Sequence, residues 1–301
     1  MRRTLLEPKC DKRTLHAEYA RKHILIGYCF FSIISAISQP IGLTMVLCVS
    51  QRERYFYGRI MRKKKNLKQL LNLGLLDYTN ITTKIGDYDM PYVSCGIVPK
   101  IDFLATYSNP GSYYKTQNTA VSFFEYDKYF DGLYGLWNGI YYGVKEIQDF
   151  YKERFKNVKY FIAPDYSKCG DSLEVDNIHR QMRMRISAIW LTMNTDGVVI
   201  PLVSCANELS KSYMLDGMED CKTVAFNAKG AMGDPSQMVI FKDAIKHTVD
   251  HLNLESIVVY SASPNKNKVN EIFQYAISKG IDVQIPENTL QIRNKLKGVR
   301  E

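Results

Sequence analysis

The sequence lacks the paired cysteines that small zinc sites use. None of its seven cysteines forms a Cys-x-x-Cys pair, and the number is odd. Because structural zinc is held by closely spaced pairs of ligands, the spacing disfavours a zinc ribbon or knuckle. A chain of 301 residues with 46% hydrophobic residues can bury a core of its own, so a disulfide framework is not expected either. We expect free thiols.

Glycine-rich phosphate loops are also absent. The sequence contains neither a GxxxxGK[ST] loop nor a GxGxxG turn. Those motifs bring backbone N–H groups close to phosphates. Their absence disfavours the common nucleoside-triphosphate folds and the dinucleotide-binding Rossmann folds.

Basic charge is scarce outside the N-terminal region. Residues 1–65 contain fourteen Lys and Arg but four Asp and Glu, whereas residues 66–301 contain 26 basic and 27 acidic residues. The net charge of +9 therefore comes from the N-terminal region. Since non-specific nucleic-acid affinity depends on a broad basic surface, nucleic-acid binding is not favoured for the rest of the chain.

The N-terminal region has two interpretations. Residues 24–50 contain no charged side chain, and this run exceeds the roughly 20 residues that a transmembrane helix needs. We therefore expect residues 1–60 to be a basic tail and an apolar segment that anchors the protein in a membrane. Alternatively, translation starts at Met61, which opens a basic amphipathic stretch, and residues 1–60 are an upstream extension. A single domain, 61–301, is expected to be cytoplasmic.

Short apolar runs recur through residues 61–301, and most are followed by a helical pattern. The predicted strands are 94–105, 120–126, 160–163, 198–203, 223–226, 256–260 and 282–285. Helical spacing of apolar residues appears at 140–151, 241–252 and 269–276, with Gly280 placed to end the last helix. Strands connected by helices pair in parallel. The sequence therefore predicts an α/β fold of repeated strand–helix units, as an incomplete TIM-like barrel or, alternatively, an open doubly wound three-layer sheet.

Polar residues follow several of these strands. Asp127, Asp165 and Ser167 are the candidate catalytic residues, because two carboxyl groups at one edge of a sheet could act as general acid and base. The same two aspartates could hold a divalent cation through their oxygen atoms. Alternatively, Asp165 and Ser167 cap the helix that follows them. No other cofactor or metal ligand is predicted.

The candidate ligand-binding residues are mainly donors suited to an anion. Guanidinium groups bind phosphate or carboxylate through paired hydrogen bonds. A lysine next to glycine after a strand forms an anion site with nearby amides. The structural alternatives are ion pairs for the arginines and a flexible loop for the lysine. The candidates are Arg183, Arg185, Asn207, Asn227, Lys229 and Ser261.

Four stretches carry a family resemblance. FFEYDKYFDGLY, PDYS, Arg183-Met184-Arg185 and Val199-Ile200-Pro201 together resemble the bacterial and phage family called domain of unknown function 4417, over roughly residues 120–286. The family usually has Trp at the position of Cys205 and Gly at the position of Ser261. The resemblance implies a phage or mobile-element setting and brings no established activity.

Three functions follow from these observations. The first is a ligand-binding or catalytic site at the carboxyl ends of the strands, in a hydrolase or transferase for a small anionic or nucleotide-like substrate. The second is a non-catalytic module that binds a host protein. The third is nucleic-acid binding, which requires a local basic groove although the net charge of residues 66–301 is close to zero.

Overall fold

The predicted strands form two parallel β-sheets in the computed structural model, which describes residue 71 and residues 73–298. The strands in chain order are β1 (Lys84–Ile85), β2 (Met90–Pro91), β3 (Phe103–Thr106), β4 (Thr119–Ser122), β5 (Tyr160–Ile162), β6 (Val198–Ile200), β7 (Leu202–Val203), β8 (Thr223–Asn227), β9 (Ser256–Tyr260), β10 (Asp282–Gln284) and β11 (Glu287–Asn288). The predictions for residues 24–50 and for a start at Met61 lie outside the described residues.

All pairings within the two sheets are parallel, which confirms the predicted α/β class. One sheet has the order β11-β3-β4-β5-β6, and the other has the order β10-β9-β8-β7. A doubly wound sheet reverses its strand order at one point. From β3 to β6 and from β7 to β10, neighbours follow chain order without such a reversal, and β11 pairs with β3. The small β1–β2 pair is antiparallel and was not predicted.

Two extended runs contribute a strand to each sheet. In the run 198–203, β6 pairs with β5 and β7 pairs with β8, with Pro201 between them. In the run 282–288, β10 pairs with β9 and β11 pairs with β3. Proline cannot donate a backbone hydrogen bond, so it interrupts a ladder at the point where a strand changes partner.

Six of the described helices connect successive strands, whereas the first precedes β1 and the last follows β11. The described helices are α1 (Leu76–Thr79), α2 (Leu136–Tyr142), α3 (Lys145–Arg154), α4 (Glu174–Asn194), α5 (Pro235–His251), α6 (Lys266–Ile272), α7 (Gln274–Ser278) and α8 (Thr289–Gly298). Asp234 begins α5 by accepting hydrogen bonds from two backbone N–H groups, and Pro235 occupies its first position. Gly280, with φ of +82°, follows α7 as predicted.

The central strands of the two sheets, β3 to β9, are buried on both faces almost throughout. All five residues of β9 are buried, and Val121, Phe161, Ile200 and Ala225 on four other strands are fully buried too. Continuous burial explains why these runs are apolar throughout rather than alternating. Among the described residues, no helix has both the length and the apolar character needed to cross a membrane.

Candidate functional site

Asp127 and Ser167 contact each other, although they follow different strands. The Asp127 carboxylate accepts a hydrogen bond of 2.7 Å from the Ser167 hydroxyl and weaker ones from the Ser167 backbone N–H. It also forms an ion pair of 3.2 Å with Arg180 of α4. Because α4 begins at Glu174, neither Asp165 nor Ser167 lies at its N-terminus, and the capping interpretation is wrong.

Asp165 lies beside Asn227, the last residue of β8. The Asn227 amide donates to the Asp165 carboxylate at 2.9 Å, and its oxygen accepts a hydrogen bond from the Lys229 backbone N–H at 3.2 Å. Burial raises the pKa of the half-buried Asp165 carboxyl group above its usual range. Three candidates from the sequence are thus joined in one short chain of contacts at the carboxyl ends of β5 and β8.

A cavity of about 330 Å³ lies at the carboxyl ends of β3, β4 and β9. We call it the rim cavity. Its aromatic side chains are Phe124, Tyr126, Tyr129 and Tyr260, and its cationic side chains are Lys229 and Arg293. Thr289 and Leu290, at the start of α8, also line it, so the positive end of a helix dipole faces the cavity.

Both cations of the rim cavity lack an acidic partner. In the described part of the chain, no Asp or Glu side chain forms an ion pair with Lys229 or Arg293. The Lys229 ammonium lies 5.7 Å from the Tyr126 ring centre. The acidic residue of the cavity, Glu125, accepts hydrogen bonds from the Ser108 backbone and hydroxyl. Its charge is therefore satisfied locally, and the cations are available to a ligand.

Arg183 and Arg185 point in different directions from α4, as their spacing predicts. Arg183 pairs with Asp131, and its guanidinium carbon lies 4.2 Å from the Tyr166 ring centre. Arg185 is buried, donates to the Met214 carbonyl oxygen at 2.9 Å and leaves its Nε and one Nη without a protein partner. Burial lowers the pKa of Arg185 to about 10. Neither arginine lines the rim cavity.

Asn207 and Ser261 occupy structural positions. Asn207 accepts a hydrogen bond from the Ser210 backbone at the start of a 3-10 helix and donates to Glu174 at 2.9 Å. Ser261 is fully buried, and its hydroxyl accepts a hydrogen bond from the Ser263 backbone at 3.0 Å. The structure therefore does not bring these two candidates together with Asp165 and Lys229 by any direct hydrogen bond.

Lys168 was missed by the sequence interpretation. Its ammonium nitrogen donates to Gln181 Oε1 at 2.6 Å and to the Ser204 backbone oxygen at 2.5 Å. Burial lowers the pKa of Lys168 to about 7. The sequence signal was its position in the loop after β5, next to Ser167. Arg293 gave no signal, because it lies in a helix that follows the last strand.

The predicted cation site has no support from the side-chain arrangement. Asp127 is bonded to Ser167 and Arg180, and Asp165 is bonded to Asn227. Across the residues that the structure describes, no group of three or more His, Cys, Asp or Glu side chains is arranged to hold a metal ion. A cation bound by Asp127 and Asp165 would need these partners to move.

Comparison with known families gives one match. The family model described as "Domain of unknown function (DUF4417)" matches residues 85–276, more than half of the chain. The chain belongs to this family. Neither the curated proteins nor the solved structures that were searched contain a match. The DUF4417 match includes Asp127, Asp165 and Lys229, whereas Arg293 lies beyond it.

Cys205 and Ser261, the two positions at which the sequence is expected to depart from the family pattern, follow β7 and β9. The Cys205 thiol is half-buried and donates to the Asn207 carbonyl oxygen at 3.2 Å, directly after β7. Ser261 follows β9 and lies beside Met232.

Proposed function

We propose that this DUF4417 protein binds a small anionic ligand in the rim cavity. The observation that carries the proposal is the pair of cations, Lys229 and Arg293, that line the cavity without an acidic partner. Both cations are exposed, so an anion can reach them, and charge-assisted hydrogen bonds from ammonium and guanidinium groups to phosphate or carboxylate are stronger than neutral ones. The first turn of α8 adds a favourable dipole on the same side.

We also infer that the two sheets form one closed wall, an incomplete TIM-like barrel. The support is that residues 198–203 and 282–288 each contribute one strand to both sheets. Through these two runs the series of paired strands that begins at β3 ends with β11, which pairs with β3 again. In such barrels the ligand lies at the carboxyl ends of the strands, and phosphate is often bound beside the N-terminus of a short helix. The rim cavity and α8 have this relationship.

A short chain of hydrogen bonds connects the wall of the rim cavity to Asp165. The Lys229 backbone N–H donates to the Asn227 side-chain oxygen, and the Asn227 amide donates to the Asp165 carboxylate. The raised pKa of Asp165 suits a general acid or base, and Ser167 with Asp127 offers a hydroxyl whose hydrogen bond is already directed. These groups support a hydrolase or transferase as the type of enzyme.

A calorimetric titration tests the binding proposal. We expect inorganic phosphate and adenosine monophosphate to bind the wild-type chain. Lys229→Ala and Arg293→Ala should each weaken binding roughly ten- to hundredfold, since a charge-assisted hydrogen bond contributes about 1.5–3 kcal/mol. Lys242→Ala is the matched control, because Lys242 is exposed on α5 and does not line the cavity. Equal phosphate affinity of Lys229→Ala, Arg293→Ala and Lys242→Ala would reject the proposal.

The two alternative functions have weaker support. Leu133 and Tyr134 are 73% and 77% exposed, which fits a surface for a host protein. Tyr126 and Tyr129 beside Lys128 fit base stacking. A short oligonucleotide in the same titration separates these outcomes: strong, steeply salt-dependent binding of the oligonucleotide without binding of the mononucleotide would replace our proposal by nucleic-acid binding. The phage or mobile-element setting stays a prediction.

A further inference from the structure

Glu125 is the acidic side chain of a cavity whose other charged side chains are cations. It lies just after β4 and lines the rim cavity together with Lys229 and Arg293. Across residues 73–298, no Lys or Arg side chain forms an ion pair with Glu125. A carboxylate repels an anion that binds in the same cavity. A site for an anion alone would be better without Glu125, so the ligand must offer this side chain something besides negative charge.

The Glu125 carboxylate keeps hydrogen-bonding capacity for a ligand. One of its oxygens accepts a hydrogen bond of 2.8 Å from the Ser108 backbone N–H, and the other accepts one from the Ser108 hydroxyl. An ionised carboxylate has about four acceptor positions, so roughly two remain. The bonds from Ser108 hold the side chain in place without neutralising its charge. Because Glu125 is half-buried in the cavity wall, donors on a ligand can use the remaining positions.

The Tyr260 hydroxyl is a second polar group of the cavity wall that a ligand can bond. Tyr260, the last residue of β9, is 2% exposed, and its ring centre lies 4.9 Å from that of Phe124. Its hydroxyl forms no hydrogen bond with another residue of the described part of the chain. Burial and then the charge of Glu125 raise the pKa of Tyr260 to about 12, so the hydroxyl keeps its proton near neutral pH. Buried hydroxyl groups usually have a partner, which a ligand in the rim cavity can supply.

The rim cavity has room for more than an inorganic anion. Its volume of about 330 Å³ lies at the lower end of the range for pockets that enclose small organic molecules. Further hydroxyl and amide side chains line it, from Thr106, Asn109 and Thr289. The lining therefore suits a compact organic ligand that carries several polar groups as well as an anion.

We propose that the ligand of the rim cavity is a sugar phosphate, either free or as the ribose phosphate of a nucleotide. This inference rests on the proposed function, because the phosphate is bound by Lys229 and Arg293. The sugar hydroxyl groups donate hydrogen bonds to the Glu125 carboxylate, and the Tyr260 hydroxyl bonds to the same sugar. Glu125 is then a specificity-determining residue: an anion with hydroxyl groups compensates for the repulsion, whereas an anion without donors does not.

Calorimetric titration of the full chain with ribose 5-phosphate and methyl phosphate tests the inference. Both probes are phosphate monoesters, but methyl phosphate has no hydroxyl group outside the phosphate. We expect ribose 5-phosphate to bind the wild-type chain at least about tenfold more tightly, because hydrogen bonds to a charged group contribute strongly.

Glu125→Gln should change the two affinities in opposite directions. Methyl phosphate should bind about two- to fivefold more tightly, because a repulsive charge is removed. Ribose 5-phosphate should bind at least about fivefold more weakly, because the hydrogen bonds to the carboxylate lose their charge. Glu271→Gln is the matched control, since it removes the same charge from an exposed position on α6 that does not line the cavity.

Tyr260→Phe is a second variant, and it keeps the ring that packs on Phe124. We expect it to weaken the binding of ribose 5-phosphate about two- to tenfold, which corresponds to one neutral hydrogen bond, and to leave the binding of methyl phosphate unchanged. Circular dichroism checks that both cavity variants fold. Adenosine monophosphate distinguishes the two sources of the sugar phosphate. Tighter binding than that of ribose 5-phosphate would identify a nucleotide, and equal or weaker binding would identify a free sugar phosphate.

Two results would overturn the inference. One is equal affinity of the wild-type chain for ribose 5-phosphate and methyl phosphate, and the other is a change of both affinities by the same factor in Glu125→Gln. If methyl phosphate binding still depended on Lys229 and Arg293, the proposed function would be retained in either case. Failure of both probes to bind the wild-type chain would instead reject the proposed function itself.

Discussion

The Asp165 carboxylate and the Asn227 side-chain amide, 2.9 Å apart, join the carboxyl ends of strands that belong to different sheets. Asp165 follows β5 of the five-stranded sheet, and Asn227 is the last residue of β8 in the four-stranded sheet. The amide oxygen of Asn227 also accepts a hydrogen bond from the Lys229 backbone N–H. The Asn227 side chain therefore holds both the Asp165 carboxylate and the start of the loop that contains Lys229.

Loss of the Asn227 amide should destabilise the fold. Asn227→Ala leaves the half-buried Asp165 carboxylate and the Lys229 N–H without their partner, and we expect the free energy of unfolding to fall by about 2 kcal/mol. Urea denaturation measures the change. Asn253→Ala is the control, because Asn253 is exposed and should change the free energy of unfolding by less than about 0.5 kcal/mol. Equal stability of the two variants would show that the contact does not hold the strand ends.

The strands were predictable because burial on both faces leaves a continuous apolar run. Ser256–Tyr260 was predicted to the residue, and the run 198–203 was predicted over its full length. The run 94–105 was not, since only Phe103–Thr106 joins a sheet. Before it, the Cys95 carbonyl group accepts a hydrogen bond from the Lys222 backbone, just before β8, and the Pro99 carbonyl group accepts one from the Gln284 side chain at the end of β10. Such contacts depend on tertiary structure and leave no periodic pattern.

The site was predictable only where polar residues directly follow strands. Asp165, Asn227 and Lys229 were placed at one edge by this rule, and the structure brings them together. Lys168 differs from many loop lysines only in what surrounds it, namely Gln181 of α4 and Ser204, which follows β7. Its burial is therefore set by the packing of three segments, which the sequence does not display.

Arg183 should be sensitive to replacement by lysine. Its guanidinium group pairs with Asp131 and lies over the Tyr166 ring, with Trp137 at 5.3 Å. Lysine retains the charge but loses the planar contact with the rings and the forked geometry. We expect Arg183→Lys to lower the free energy of unfolding by about 1–2 kcal/mol, measured by urea denaturation. Arg293 forms no ion pair, so Arg293→Lys should leave the free energy of unfolding almost unchanged. A larger loss of stability in Arg293→Lys than in Arg183→Lys would contradict this account.

Asn288 should contribute more stability than its neighbour Asn294. Asn288 is fully buried; it donates to the Ser261 carbonyl oxygen and accepts from the Gln291 backbone, both at 2.9 Å. The half-buried Asn294 donates to the Ala262 carbonyl oxygen alone. Asn288→Ala leaves two buried backbone groups without a hydrogen-bond partner. We therefore expect the free energy of unfolding to fall by about 2–3 kcal/mol, compared with about 1 kcal/mol for Asn294→Ala. Thermal and urea unfolding of both variants test the order, and a larger loss in Asn294→Ala would exclude our assignment.

The lowered pKa of Lys168 predicts how stability changes with pH. The folded pKa is about 7, whereas an unfolded lysine titrates near about 10.4. Between these values the unfolded chain binds more protons than the folded chain, so the free energy of unfolding rises with pH in this window. Below pH 7 both states are protonated, and this group contributes no slope there. We therefore expect wild-type stability to increase from pH 7 to pH 8.5 relative to Lys168→Met.

The expected difference is no more than about 1 kcal/mol per pH unit, because Lys168 is only half-buried. The window ends at pH 8.5 because burial also raises the pKa of the neighbouring Cys205 thiol, and a raised thiol pKa lowers stability once the unfolded chain loses that proton. Burial raises the pKa of the Asp165 carboxyl group, and the pKa of Glu174 is lowered because its hydrogen bonds from Asn207 and Tyr213 outweigh its burial. Both proteins contain these carboxyl groups and Arg185, so the comparison between them isolates Lys168. Urea denaturation of both proteins at pH 7, 7.75 and 8.5 gives the comparison. Parallel curves would mean that Lys168 keeps an ordinary pKa in the fold.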